Sequence, residues 1–218
     1  METPIVDFTD EDVSEFAATG ISFQDYLKQF DGKHSEWLMG NVIVMSNNTL
    51  HQEILAFLVA LLHLYLGMAK IGKLLLAGVP MYIDDDQPAR EPDMMIVFNE
   101  NVHRIKPTYL EGAADICIEI VSPESTKRDY GGKFSQYEAA GVREYWRIDP
   151  IRKQTDFYVL RDVDGEQHYQ RIGLDERGRF VSTLLSGFAL DTAIFWRAEL
   201  PAGMELVELA QRMSKPAD

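Results

Sequence analysis

Asp115-Ile116-Cys117-Ile118-Glu119-Ile120-Val121-Ser122 is the stretch that decides the fold. Isoleucine recurs at every second position, the period of a β-strand. Ile116, Ile118 and Ile120 therefore share one face, and Asp115, Cys117, Glu119 and Val121 share the other. Both faces are apolar enough for burial, and a carboxylate inside such a strand is costly to desolvate unless something positive meets it. A second acid stands in the same predicament upstream: Asp93 in Glu91-Pro92-Asp93-Met94-Met95-Ile96-Val97. If the two strands pair in register, the carboxyls of Asp93 and Glu119 converge at one end of the sheet, where one divalent cation serves both. A hard cation such as Mg²⁺ (or Mn²⁺) wants one or two carboxylates, a backbone carbonyl and several waters. Histidine and cysteine ligands would indicate zinc instead, and none of the five histidines has a partner at a familiar ligand spacing.

Working outward, Ser22-Phe23-Gln24-Asp25-Tyr26-Leu27 predicts a capped turn of helix, and Glu36 to Met45 predicts a β-hairpin around Gly40-Asn41. Thr49 stands three residues before Gln52, a capping-box spacing, and opens a helix ending near Gly67. That helix is apolar nearly all round, so a sheet or a partner chain must cover it. Strands are expected over 73–77, 79–83, 93–98 and 115–121, with Asp84-Asp85-Asp86 a solvated turn. A helix follows Ser122-Pro123, with Asp129 as its N-cap and Gly141 just past its end. Glu144 to Asp149 reads as a strand stopped by Pro150, and strands over 155–160 and 167–172 flank the hairpin turn Asp164-Gly165. Shorter strands lie around 180–185. A last helix, from about Met204 to Met213, carries Met204, Val207, Leu209 or Ala210, and Met213 on a docking stripe. The order predicts an α/β (α+β) fold, a mixed sheet flanked by helices with additional β-hairpins. No glycine-rich phosphate loop follows a strand, which excludes the dinucleotide and Walker readings.

A length of 218 residues suits a single domain over 1–218, with a core of about 22–160 and a C-terminal hairpin-and-helix extension over 161–218. The one cysteine, Cys117, cannot form an internal disulfide, and between isoleucines it reads as a small core residue; a reducing cytoplasm is the expected location. The amino terminus has no secretion-signal pattern, and the apolar run from Ile54 to Leu66 is interrupted by His63 and short for a bilayer, so no membrane partner is expected. The net charge of −14 works against a polyanionic partner unless basic residues and metal gather at one face.

The chain resembles a known family. Pro92-Asp93, then Glu119 in a short apolar strand, then a helix is similar to the PD-(D/E)XK nuclease superfamily, with its restriction-endonuclease-like fold. More closely it resembles the large bacterial family of putative restriction endonucleases often called Uma-two. The matching pieces are Ser35-Glu36-Trp37-Leu38-Met39-Gly40-Asn41-Val42, His51-Gln52, Pro92-Asp93 and Glu119-Ile120-Val121-Ser122-Pro123-Glu124-Ser125-Thr126. Asp129 with Lys133 and Tyr137, then Gly141 to Pro150, complete the set. One departure matters. The superfamily pattern wants lysine two residues after the strand acid, where Val121 stands; the resemblance puts Lys133 of the next helix in that role. A lysine at the start of a helix meets the positive end of the macrodipole, which is unfavourable unless carboxylates or an anion lie close. An exposed lysine in a frayed first turn is the open alternative.

The resemblance implies a Mg²⁺-dependent endonuclease acting on nucleic acid, DNA foremost; the all-round apolar helix from Ile54 and the docked final helix fit a homodimer, as two-fold cutting of a duplex would also want. The resemblance further implies catalytic Glu36, Asp93, Glu119 and Lys133, with Asp93 and Glu119 on the metal and His51, Ser122 and Asp129 accessory. Glu36 would orient Lys133 or complete a second metal site, against the plainer reading of a surface charge at a strand start. His51 reads equally as a capping or core-satisfying histidine, Trp37, Tyr145 and Trp146 read as packing residues, and Lys127 and Arg128 offer phosphate contacts. Two rival functions stay open: a catalytically silent binding or dimerisation module, and a hydrolase of a small phosphoester. A basic rim from Lys127, Arg128, Lys133, Arg143 or Arg104 would favour nucleic acid.

Overall fold

The computed structural model describes residues 16–44, 49–123 and 126–214. Helix α1 (Phe23–Gln29) is capped as its sequence predicts, Ser22 Oγ accepting from the Asp25 N–H. Strands β1 (Ser35–Leu38) and β2 (Asn41–Val44) form the expected hairpin, but the turn is Met39-Gly40 rather than Gly40-Asn41. Both turn residues have positive φ, 48° and 99°, the two-residue geometry that matches strand twist. Helix α2 (Thr49–Ala69) starts with Thr49 already helical, so Thr49 is not the N-cap that its spacing suggested.

Among the described residues, the central sheet has six strands in the order β10-β9-β8-β7-β5-β3. These are β3 (Gly72–Leu76), β5 (Met94–Phe98), β7 (Ile116–Ile120), β8 (Glu144–Asp149), β9 (Gln154–Val163) and β10 (Glu166–Arg171). β7 and β8 are parallel, joined through α3 (Thr126–Tyr130) and α4 (Gly132–Ala140); the other neighbours are antiparallel. A Cβ on Gly72 would fall 2.5 Å from the Val97 carbonyl oxygen, so β3 meets β5 closely only as glycine. The strand expected over 79–83 shrinks to β4 (Met81–Tyr82), which pairs outside the main sheet with β6 (Leu110–Glu111). Pro80 has no N–H to give to a ladder.

The isoleucine alternation holds. Ile116, Ile118 and Ile120 join α2 in one core, while Cys117 lies in the other with Met95, Val97, Tyr137 and Tyr145. α2 is long and apolar enough to cross a membrane, but Ile54, Leu58, Leu61 and Leu62 pack fully into the core. Within the same chain α5 (Gly203–Met213) packs against it and supplies part of its cover. The docking stripe there is Leu206, Ala210 and Met213: Ala210 and Met213 were expected, whereas Leu206 takes the place of Val207 and Met204 is 71% exposed.

Glu144 ties the C-terminal extension to the sheet. Its carboxylate is fully buried and accepts from Trp146 Nε1 (2.7 Å), Ser182 Oγ (2.8 Å), Thr183 N (2.8 Å) and Thr183 Oγ1 (2.9 Å). Short β11 (Arg179–Val181) and β12 (Ala189–Asp191) flank this contact.

Candidate active site

Antiparallel pairing ends with Met94 opposite Ile118, and Asp93, one residue before β5, lies close enough to Glu119 of β7 to act on its charge. The two acids thus stand side by side where β5 begins and β7 ends. Asp93 Oδ2 accepts the Ile120 N–H at 2.7 Å and lies 3.1 Å from His51 Nε2, so α2 reaches the site through its first turn. Glu36 arrives from the hairpin. Trp37 and Ala89 exchange backbone hydrogen bonds at 3.2 and 2.8 Å, which brings Glu36 beside Arg90. Arg90 NH1 donates to Glu36 Oε2 at 2.6 Å, and Arg90 Nε donates to Gln136 Oε1.

The fourth wall is α4, whose Lys133, Gln136 and Tyr137 fall on one face at helical spacing and are all buried. Lys133 Nζ lies 3.0 Å from Glu119 Oε2, 3.2 Å from Asp129 Oδ1 and 3.4 Å from Glu36 Oε1, with the side chain 2% exposed. Tyr137 Oη donates to Glu119 Oε1 at 2.5 Å. The frayed-turn alternative for Lys133 is thereby excluded. The N-cap assignment of Asp129 is also corrected: it lies inside the separate helical turn α3, and Gly131 precedes α4. Its carbonyl accepts from Tyr145 Oη and Arg147 NH1, both at 3.2 Å, which fixes the turn against β8.

Electrostatics follow from crowding acids around one amine. Burial alone would raise the Glu36 carboxyl, but Lys133, Arg90 and Arg128 pull it down to about 2. Burial dominates at Glu119, where Lys133 offsets only part and Asp93 and Asp129 add repulsion, so it is pushed up to about 8. Burial disfavours the Lys133 ammonium, yet Glu119, Glu36, Asp129 and Asp93 more than reverse this and hold it charged. Four buried acids thus face Lys133 and Arg90, with Arg128 close enough to act on Glu36.

Among the described residues no three potential ligands gather into a ready-made metal cage. Mg²⁺ seldom uses one, preferring one or two carboxylates and retained waters. The donors here are all oxygen and in anionic excess, and Glu119 is a buried carboxylate whose charged form Lys133 and Tyr137 compensate only in part. On charge and donor chemistry, Asp93 and Glu119 fit a hard divalent cation.

Of the residues expected from sequence, Glu36, Asp93, Glu119, Lys133, His51 and Asp129 come together. Ser122 contributes differently: its carbonyl accepts from Thr126 Oγ1 at 2.9 Å, tying the strand exit to α3. Arg143 and Arg104 lie at the opposite end of β7, where Arg143 pairs with Asp115 at 3.2 Å and Arg104 donates to the Ala113 carbonyl at 3.5 Å. They belong to no rim around the acids. Arg90 and Gln136 were missed; a cation three residues before Asp93 and an amide three after Lys133 were the signals available. His34, two residues before Glu36, is a further addition: Asp93, Glu36, Lys133 and His51 all act on it, and burial lowers its pKa.

Comparison with known proteins bears on the family and the fold. Residues 23–193 match the family model Uma2, described as "Putative restriction endonuclease". A solved structure from Anabaena variabilis, described as a putative nuclease belonging to DUF820, superposes with a TM-score of 0.63 at 18% identity. The likeness covers 87% of this chain and 99% of that one, and it establishes the fold. The search of curated proteins found no match.

Proposed function

The chain belongs to the Uma2 family of putative restriction endonucleases, and from that premise we propose that it is a divalent-metal-dependent endonuclease hydrolysing phosphodiester bonds in DNA. The observation that carries this reading is the buried ammonium of Lys133, shared by Glu119, Asp129 and Glu36 beside Asp93. Asp93 and Glu119 would hold Mg²⁺ or Mn²⁺, joined by the Ile120 carbonyl. Such an ion, when bound, acidifies water and neutralises phosphoryl charge.

The protein's own groups do the rest. Lys133 places a positive charge beside the phosphate oxygens, where it is worth most as negative charge builds in the transition state. Glu36, held ionised by Lys133 and Arg90, fixes where that ammonium sits. His51 and the Ile120 N–H hold Asp93 in one orientation, and Tyr137 does the same for Glu119. Cleaving both strands of a duplex calls for two such sites related by a two-fold axis, so a homodimer is part of the proposal. A cytoplasmic location suits the free, buried Cys117.

The net charge of −14 favours a rival, a hydrolase of small phosphoesters. One experiment separates them: plasmid DNA, single-stranded DNA and a chromogenic phosphodiester are each incubated with Mg²⁺ or Mn²⁺, comparing the parent with Asp93→Asn and Glu119→Gln. The parent should cut DNA and both variants should not, with unchanged circular dichroism. Cleavage of the small diester alone would favour the rival, and variants as active as the parent would end the assignment.

A further inference from the structure

The buried cations around the acids are already committed. Lys133 is divided among three carboxylates, Arg90 is held by Glu36 and Gln136, and Arg147 is tied to Asp156 at 2.7 Å and to the Asp129 carbonyl. Arg128 differs. It lies in α3, one residue before Asp129, and is only partly buried. Its Nε is shielded from solvent yet has no hydrogen-bond partner, and among the described residues Arg128 forms no ion pair. The chain holds 35 acidic residues against 21 lysines and arginines, so an arginine beside a carboxylate cluster has many ways to be neutralised. It remains unspent although its charge reaches Glu36.

A polyanion approaching four buried carboxylates is repelled unless a cation meets it at the entrance. A guanidinium is built for that task, since its planar fork matches two phosphate oxygens and its weak hydration lowers the cost of contact. We propose that Arg128 is the phosphate-gripping residue of this site, its guanidinium binding non-bridging oxygens of a nucleic-acid backbone on the solvent side of Lys133. The assignment rests on the nuclease reading for its substrate class, but not on cleavage for its test.

The test is fluorescence anisotropy with a labelled DNA duplex in EDTA, titrated at several salt concentrations between about 50 and 200 mM. Each phosphate neutralised contributes about 0.9 to the slope of log K against log[salt]. Arg128→Gln should lower that slope by about one and weaken binding at low salt by about tenfold or more. Arg128→Lys should keep the slope and recover part of the affinity, because it retains charge but not the fork. Lys70→Asn, an equal charge change just beyond the far end of α2 from His51, should leave the slope alone. The melting temperature of Arg128→Gln should stay within about 2 °C of the parent, as a side chain with no hydrogen bond or ion pair among the described residues requires. The proposal is overturned if Arg128→Gln keeps the parental slope, if Lys70→Asn lowers it equally, or if Arg128→Gln melts far below the parent. A parent showing no salt-dependent binding overturns it as well. A parent that binds through Arg128 but never cuts would instead end the nuclease reading and leave this contact standing.

Discussion

Glu144→Gln should cost about 3 kcal/mol of stability although it changes one atom type and leaves the volume almost untouched. The buried carboxylate faces four donors and no cation within the described contacts: Trp146 Nε1 and Ser182 Oγ on one oxygen, Thr183 N and Thr183 Oγ1 on the other. Glutamine turns one oxygen into a donor. The hydroxyls of Ser182 and Thr183 can rotate to accept from it, but the indole and backbone N–H groups cannot. Whichever way the amide turns, one fixed donor is stranded, at about 1–3 kcal/mol, and the other bonds lose their charge assistance. Removing a buried charge recovers part of its desolvation cost, which keeps the total well below the sum of four bonds. For a chain of this size about 3 kcal/mol corresponds to a melting temperature lower by about 6–12 °C. Glu144→Ala, which strands both fixed donors and leaves a cavity, should lose about 4–6 kcal/mol. Urea unfolding followed by tryptophan emission measures both, with the m-value checked for constancy. A Glu144→Gln variant within about 0.5 kcal/mol of the parent would show that the donors find other acceptors, and the reasoning would fail.

Two more expectations concern the site itself. Glu119 has an ordinary carboxyl value when unfolded and about 8 when folded, so the folded state binds the extra proton and stability falls as pH rises from about 4.5 to 8. Glu119→Gln removes that loss, so in EDTA it should melt above the parent at pH 8, by up to about 4 kcal/mol, with the gap closing toward pH 5; a gap independent of pH would refute it. Lys133→Met should abolish cleavage and also destabilise the protein by about 3–5 kcal/mol at neutral pH, since it strands buried carboxylates; a fully stable variant in chemical denaturation would contradict the burial argument.

The strand pair was legible because a period of two is a local signal, and two acids at matching positions of neighbouring strands needed only the register to meet. Lys133 was singled out by resemblance; composition alone left its placement undecided, and what fixes that placement is three carboxylates from three separate segments. Arg90 stayed hidden for a similar reason, its partners Glu36 and Gln136 lying 54 and 46 residues away. Asp129 was misread because a cap is a local pattern, whereas Gly131 splits the helix into two pieces that only tertiary contacts with Tyr145 and Arg147 hold in line. The stripe of α5 was read correctly at Ala210 and Met213 but off in its first turn, where Leu206 is buried and Met204 is not, since periodicity shows that a face exists more readily than which way it turns. Apolarity all round α2 left sheet and partner chain equally open as its cover, and the chain's own last helix supplies part of it.

The pairing of β5 with β7, which carries Asp93 up to Glu119, has a consequence for how such a protein can change. Facing residues of an antiparallel ladder are spaced by the backbone itself, at about 4.5–5.5 Å between α-carbons. The last such pair, Met94 and Ile118, stands one residue short of each acid, so the gap between the acids is anchored by the sheet. Surface segments can lengthen, shorten or be exchanged for others while that spacing endures. Slippage of the two strands by a single residue, by contrast, would turn one acid to the far side and dismantle the site in one step.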